Sequence, residues 1–237
     1  MDNITYATNN LLEPLTRNEY IQYATNNPYA EVNQEHFFDV SKLARKLWEQ
    51  RHATPCPEAL VIAGLYHDID RVFPAEHSND PSIKTSRRAI DTKSLPDEGY
   101  TENQIKFVIH PQNCAAIFRE YNPELPESLK NDVAYLIERH ELGAAKTSDG
   151  MLEQKDAYTT TYNLNDAADV LCEADGTSFF SVIIYSYLKG KSETRAREKI
   201  KMSYRKLSRE GKEMVRTFEY RTADAGELVR STIVDEK

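Results

Sequence analysis

Four side chains able to bind a metal ion stand at the ends of apolar helical stripes. A helix returns to the same face at spacings of 4, 7 and 11 residues. Forward from His36 those positions are Val40, Leu43 and Leu47. Backward from His67 they are Ala63, Leu60 and Cys56. Backward from His140 they are Leu136, Val133 and Leu129, and backward from Asp175 they are Leu171, Ala168 and Leu164. One inward histidine is commonly a hydrogen-bonded core residue. Four such groups on four helices are different, because a carboxylate on an apolar face is costly unless paired or bound to a metal. Asp68, directly after His67, adds a second carboxylate. Imidazole with carboxylate suits iron, manganese, zinc, cobalt or nickel better than calcium.

The elements that must position these groups read as helices. Gln34 to Gln50 is periodic, and Pro57 opens a second helix to about Ile69, since proline suits the first helical position. Thr101 and Gln104 form a capping box for a helix that reaches His110, and Pro111 restarts or kinks it. Ser128 to His140 is amphipathic, and Asn163 to about Leu188 is long and strongly apolar. Lys189 to Arg221 reads as charged and helical, and the last sixteen residues as frayed or loosely docked. Residues 74–100 and 143–162 read as loops. The pentapeptide YATNN occurs at Tyr6–Asn10 and Tyr23–Asn27 and reads as two capping or turn segments.

A chain of 237 residues, 40% hydrophobic and with only 8 glycines, suits one large helical domain. A net charge of -8 disfavours long nucleic acid as a partner. Cys56, Cys114 and Cys172 are scattered and form no CxxC pair, which suits a reducing compartment. No apolar run approaches membrane-spanning length and the N-terminus lacks a signal core, so the expectation is cytoplasmic and without a membrane partner. A homodimer is compatible with these features.

Five local segments then carry a resemblance. They are Glu35-His36-Phe37-Phe38-Asp39-Val40, Gly64-Leu65-Tyr66-His67-Asp68-Ile69-Asp70-Arg71, His110-Pro111-Gln112-Asn113-Cys114-Ala115-Ala116, Leu136-Ile137-Glu138-Arg139-His140-Glu141 and Ala174-Asp175-Gly176-Thr177-Ser178. In this order they resemble the HD-domain superfamily of metal-dependent phosphohydrolases, with Cys114 where that family usually has glycine. The resemblance implies an all-α, HD-domain-like helical bundle. It would be a single domain at 31–222 with an insertion at about 74–100. Residues 1–30 would be an extension packed on the core and 223–237 a C-terminal tail.

It also implies a site. His36, His67, Asp68 and Asp175 would hold one divalent metal, and Asp68, His110 and His140 a second, magnesium being an alternative to the transition metals. Asp68, Arg71 and Glu141 would be catalytic. Arg71, with Lys84, Arg87 and Arg88 from the insertion, would bind substrate phosphate, which a planar guanidinium suits. The implied reaction is hydrolysis of a phosphate ester, a nucleotide or other small phosphorylated metabolite, by a metal-activated hydroxide. Two other classes are alternatives: a diiron oxygenase of the same fold, which shares the ligand pattern, and a non-catalytic module that binds nucleotide or metal, against which the intact ligand set argues. His52 and His77 are left outside the site, and the basic run at Arg195, Arg197, Lys199 and Lys201 reads as a solvated face.

Overall fold

The computed structural model describes residues 2–15, 30–72, 102–141, 162–190, 192–205 and 207–234. All regular structure among the described residues is helical. The elements are α1 (Asn3–Leu15), α2 (Ala30–Arg51), α3 (Glu58–Tyr66), a 3-10 turn (Ile69–Val72), α4 (Glu102–Tyr121), α5 (Glu127–Arg139) and α6 (Leu164–Ser178). A π-helical turn (Phe179–Ile183), α7 (Ile184–Gly190), α8 (Glu193–Arg205), α9 (Arg209–Thr217) and α10 (Ala223–Ile233) follow. None of the helices among the described residues is long and apolar enough to cross a membrane.

The four stripes meet in one core. Val40, Leu43, Leu47, Leu60, Ala63, Val133, Leu136, Leu164, Ala168 and Leu171 are all buried in the same cluster, with Cys56 and Leu129 at its margin. Each fully buried aliphatic side chain contributes roughly 1.5–3 kcal/mol. That burial draws α2, α3, α5 and α6 together, and α4 packs along α5. α3 is the central element, buried from Ala59 to Tyr66. It lies so close to α2 that a Cβ on Gly64 would stand 2.6 Å from the Ser41 Cα. Ser41 Oγ donates to Val61 O at 2.8 Å across the same contact. On the other side α1 packs on α3, and Tyr66 Oη donates to Ala7 O at 2.8 Å.

A second apolar cluster joins Phe179, Phe180 and Ile184 to Ile200, Tyr204, Leu207, Val215, Val229 and Ile233. A buried carboxylate ties it to the first. Glu173 accepts the Gly211 amide at 3.0 Å, the Ser208 hydroxyl and the Arg51 guanidinium. Arg51 also donates to Ser208 Oγ at 2.7 Å, so the end of α2 and the start of α9 share one polar knot.

Several sequence expectations change here. Pro57 is the N-cap of α3, and the helix ends at Tyr66 rather than near Ile69. Pro111 lies inside a helix that continues to Tyr121. The first YATNN copy is interior to α1, not a cap or turn. Asp2 caps the helix instead, accepting the Thr5 amide at 2.8 Å. The second copy lies outside the described residues. The long apolar helix is interrupted by the π turn after Ser178, and the charged segment breaks at Leu207–Ser208. The expected loose end is a helix, α10. Thr222 caps it, and Ala225, Val229 and Ile233, at i, i+4 and i+8, bury one face. The two loop expectations, at 74–100 and 143–162, fall outside the described residues except for Tyr162, which donates to Asp132 Oδ2 at 3.0 Å.

Candidate metal centre

His36 sits near the start of α2, and its Nδ1 lies 2.9 Å from Ser178 Oγ. The Ser178 hydroxyl donates to Asp39 Oδ2 at 2.7 Å. A hydroxyl has one proton, so Ser178 accepts from His36 Nδ1–H. The π turn also brings Ser181 to donate to Asp39. His67 caps the C-terminus of α3, and its Nδ1 donates to Gly64 O at 2.9 Å. His140 caps α5 in the same way, its Nδ1 donating to Ile137 O at 2.7 Å. A carbonyl only accepts, which places the hydrogen on Nδ1 in both rings. His110, on α4, has its Nδ1 2.7 Å from Asp70 Oδ1, an ion-pair contact, and 3.8 Å from Cys114 Sγ, while its Nε2 is hydrogen-bonded to Asp68 Oδ1 at 2.8 Å.

All four rings turn Nε2 inward, and with the hydrogen on Nδ1 the neutral rings of His36, His67 and His140 leave Nε2 a bare lone pair. The Nε2 atoms of His36 and His67 are 3.1 Å apart. Asp175 Oδ1 lies 3.1 Å from the first and 3.6 Å from the second. Asp68 Oδ2 faces the same pair at 3.7 and 3.9 Å. Its other oxygen, Oδ1, faces His110 Nε2 at 2.8 Å and His140 Nε2 at 3.8 Å. Lone pairs at these separations repel unless a cation, whether a shared proton or a metal ion, lies among them. The donor set is that of a transition-metal site, so the residues suit such ions.

The ionisation tendencies reflect the same demand. Burial alone would lower His67, but the Asp68 and Asp175 carboxylates outweigh it and raise its pKa. Burial likewise opposes protonation of His110, yet the Asp68 and Asp70 carboxylates beside it favour the charged ring and the net value is raised. Burial would raise Asp175, yet hydrogen bonds from His36 and His67 hold it well below the usual carboxylate range. His140 goes the other way: burial, with His67 and His110 beside it, pushes it down to about 3.

Two groups could each hold an ion, His36–His67–Asp175 and Asp68–His110–His140, with ligand atoms within 4.8 Å of one another in each. Asp68 is nearly inaccessible but offers one oxygen to each group. The more exposed members are the Asp175 side chain at 36% and that of His110 at 16%, so water reaches the centre past them. A third grouping, Asp70–His110–Cys114, lies on the outer edge of the His110 ring. Burial pushes the Cys114 thiol up to about 12, which keeps it protonated and a poor ligand.

All six candidate ligands thus come together. Arg71 lies on the 3-10 turn three residues past Asp68, and its side chain is outside the described residues, as are Lys84, Arg87 and Arg88. Glu141 follows His140 in the turn after α5 and is partly buried. His52 stacks on Trp48 at 3.8 Å, away from the site. Sequence reasoning assigned no role to Asp39, Asp70 or Ser178. The available signal was proximity: Asp39 is three residues past His36 and Asp70 two past Asp68.

The fold and centre define an all-helical protein whose candidate ligands come from α2, α4, α6 and the turns after α3 and α5. The family model for the HD domain matches residues 33–179, and the chain belongs to that family, one of metal-dependent phosphohydrolases. No curated protein and no solved structure gives a significant match.

Proposed function

We propose that this protein hydrolyses a phosphate ester of a small metabolite, a nucleotide being the first class to test. In this reading one divalent ion is held by His36, His67, Asp68 and Asp175 and another by Asp68, His110 and His140. The observation that carries the reading is the Asp68 carboxylate, which offers Oδ2 to one histidine pair and Oδ1 to the other. Such ions supply Lewis acidity, which acidifies water near neutral pH and offsets charge on a phosphoryl group.

The chain's own residues do the rest. Ser178, Gly64 O and Ile137 O fix which nitrogen of His36, His67 and His140 faces inward. His140, held neutral, keeps its lone pair available for coordination. Asp175 is ionised and partly exposed, so it stands where an incoming ester and its water meet the centre. Arg71, three residues past Asp68, is the side chain nearest in sequence that suits a phosphate.

The test is elemental analysis of the purified protein, followed by a phosphatase and phosphodiesterase panel with Mn, Fe, Co, Ni and Mg, with and without oxygen. Phosphate release that needs a metal and no oxygen supports the reading. Asp68→Ala should abolish both metal content and release. Release that persists in D68A overturns the site, and turnover that consumes oxygen moves the protein to the oxygenase class.

A further inference from the structure

We infer that Asp70 is a positioning residue for the ion held by Asp68, His110 and His140, bracing His110 from the ring nitrogen that faces away from it. The inference rests on the metal reading above. Asp70 Oδ1 lies 2.7 Å from His110 Nδ1, while His110 Nε2 lies 2.8 Å from Asp68 Oδ1. The imidazole is thus gripped between two buried carboxylates, one bridging the ion positions and one outside them. Asp70 is itself 7% exposed.

The contrast among the four histidines singles it out. His67 and His140 rest their Nδ1 on backbone carbonyls. His36 rests on a serine hydroxyl, and its carboxylate, Asp39, is one hydroxyl further away. Only His110, among these four, is backed directly by a carboxylate side chain. A carboxylate behind an imidazole fixes the tautomer and makes the facing nitrogen a stronger donor. His110 also needs the brace most. It is the most exposed of the four imidazoles, and it stands before Pro111 on α4 rather than at a helix cap.

The local chain path explains how Asp70 can act there. Residues two apart on an α-helix point about 200° apart. The helix stops at Tyr66, and the 3-10 turn that follows packs against α4. One short turn therefore delivers both the shared ligand, Asp68, and the brace, Asp70, to opposite nitrogens of the same ring. Cys114 Sγ, 3.8 Å from that Nδ1, closes the pocket from one turn further along α4. In this reading Asp70 stays outside the ion position shared by Asp68, His110 and His140 and acts on it through His110.

The experiment compares D70A, D70N, H110A and H36A in the full chain, using Co2+ titration against a competing chelator and metal stoichiometry. H110A and H36A identify which binding step belongs to which group. D70A should weaken the step lost in H110A by about 10–100-fold and leave the step lost in H36A within about threefold, outer-shell effects being local. D70N keeps an accepting oxygen but not the charge, so its loss should be smaller and fall on the same step. Wild-type affinity at both steps in D70A overturns the inference, and so does equal weakening of both. Should D70A fail to fold, D70N decides: a selective loss upholds the brace and wild-type binding overturns it. A wild-type protein that binds no Co2+ is a separate result and fails the metal reading itself.

Discussion

Gly64→Ala tests whether the α2–α3 contact sets the metal geometry. The new Cβ would lie 2.6 Å from the Ser41 Cα and 2.8 Å from its amide nitrogen, both backbone atoms that cannot swing aside. Ordinary contact begins near 3.4 Å, so the helices must part by about 0.8 Å, the difference between 3.4 and 2.6. Overpacking of this kind costs about 1–3 kcal/mol, while alanine gains about 1 kcal/mol over glycine in a helix. The net expectation is a loss of up to about 2 kcal/mol, or up to roughly 8 °C in Tm for a chain of this size. The same displacement separates His36 on α2 from His67 at the end of α3, whose Nε2 atoms are 3.1 Å apart. A shift approaching 1 Å at a reacting centre costs up to about 100-fold in rate. Urea unfolding of the metal-free protein would read the first effect, and metal titration with phosphate release the second. A G64A variant about 1 kcal/mol more stable than wild type, with unchanged metal affinity, would refute the close-contact reasoning.

Other outcomes follow from the polar knot and from the buried histidine. Gly211→Ala would set a Cβ 2.3 Å from Glu173 Oε1, forcing that carboxylate off the Gly211 amide and the Ser208 hydroxyl. The expected cost is about 1–3 kcal/mol in urea unfolding, with metal stoichiometry intact; unaltered stability would mean the knot is not holding α9. For His140 the sign is fixed by its depressed folded value of about 3 against about 6.5 when unfolded. Below about 6.5 the unfolded chain takes up a proton that the folded chain refuses, so stability falls as pH drops towards 3. In metal-free protein His140→Gln should remove this slope, and parallel wild-type and H140Q curves between about pH 6.5 and 4.5 would contradict it.

Four of the candidate ligands were legible in sequence because each stands at the end of a run of apolar side chains that must face the core; Asp68 was marked by its place beside His67, and His110 by the resemblance alone. Val40, Leu43 and Leu47 say which way His36 points, and Leu164, Ala168 and Leu171 do the same for Asp175. The bracing groups were not legible by that logic. Ser178 and Asp39 lie on different helices, and their contact depends on the π turn that brings Ser178 and Ser181 to one carboxylate. Asp70 takes its role from a break in helix geometry after Tyr66, which no apolar period marks. The C-terminal helix was readable but passed over: Thr222 is a capping residue, and Ala225, Val229 and Ile233 share a face. Its high polar content hid a narrow stripe that suffices against the second cluster.

The order of the ligands along the chain carries a consequence for biosynthesis. His36 and His67 leave the ribosome early, whereas Asp175, which shares their group, is translated only after α5. A nascent chain halted before α6 thus has imidazoles ready but no closing carboxylate, and would hold its first ion weakly. If these residues hold the proposed ions, cofactor capture would be a late event of maturation, coupled to docking of α6.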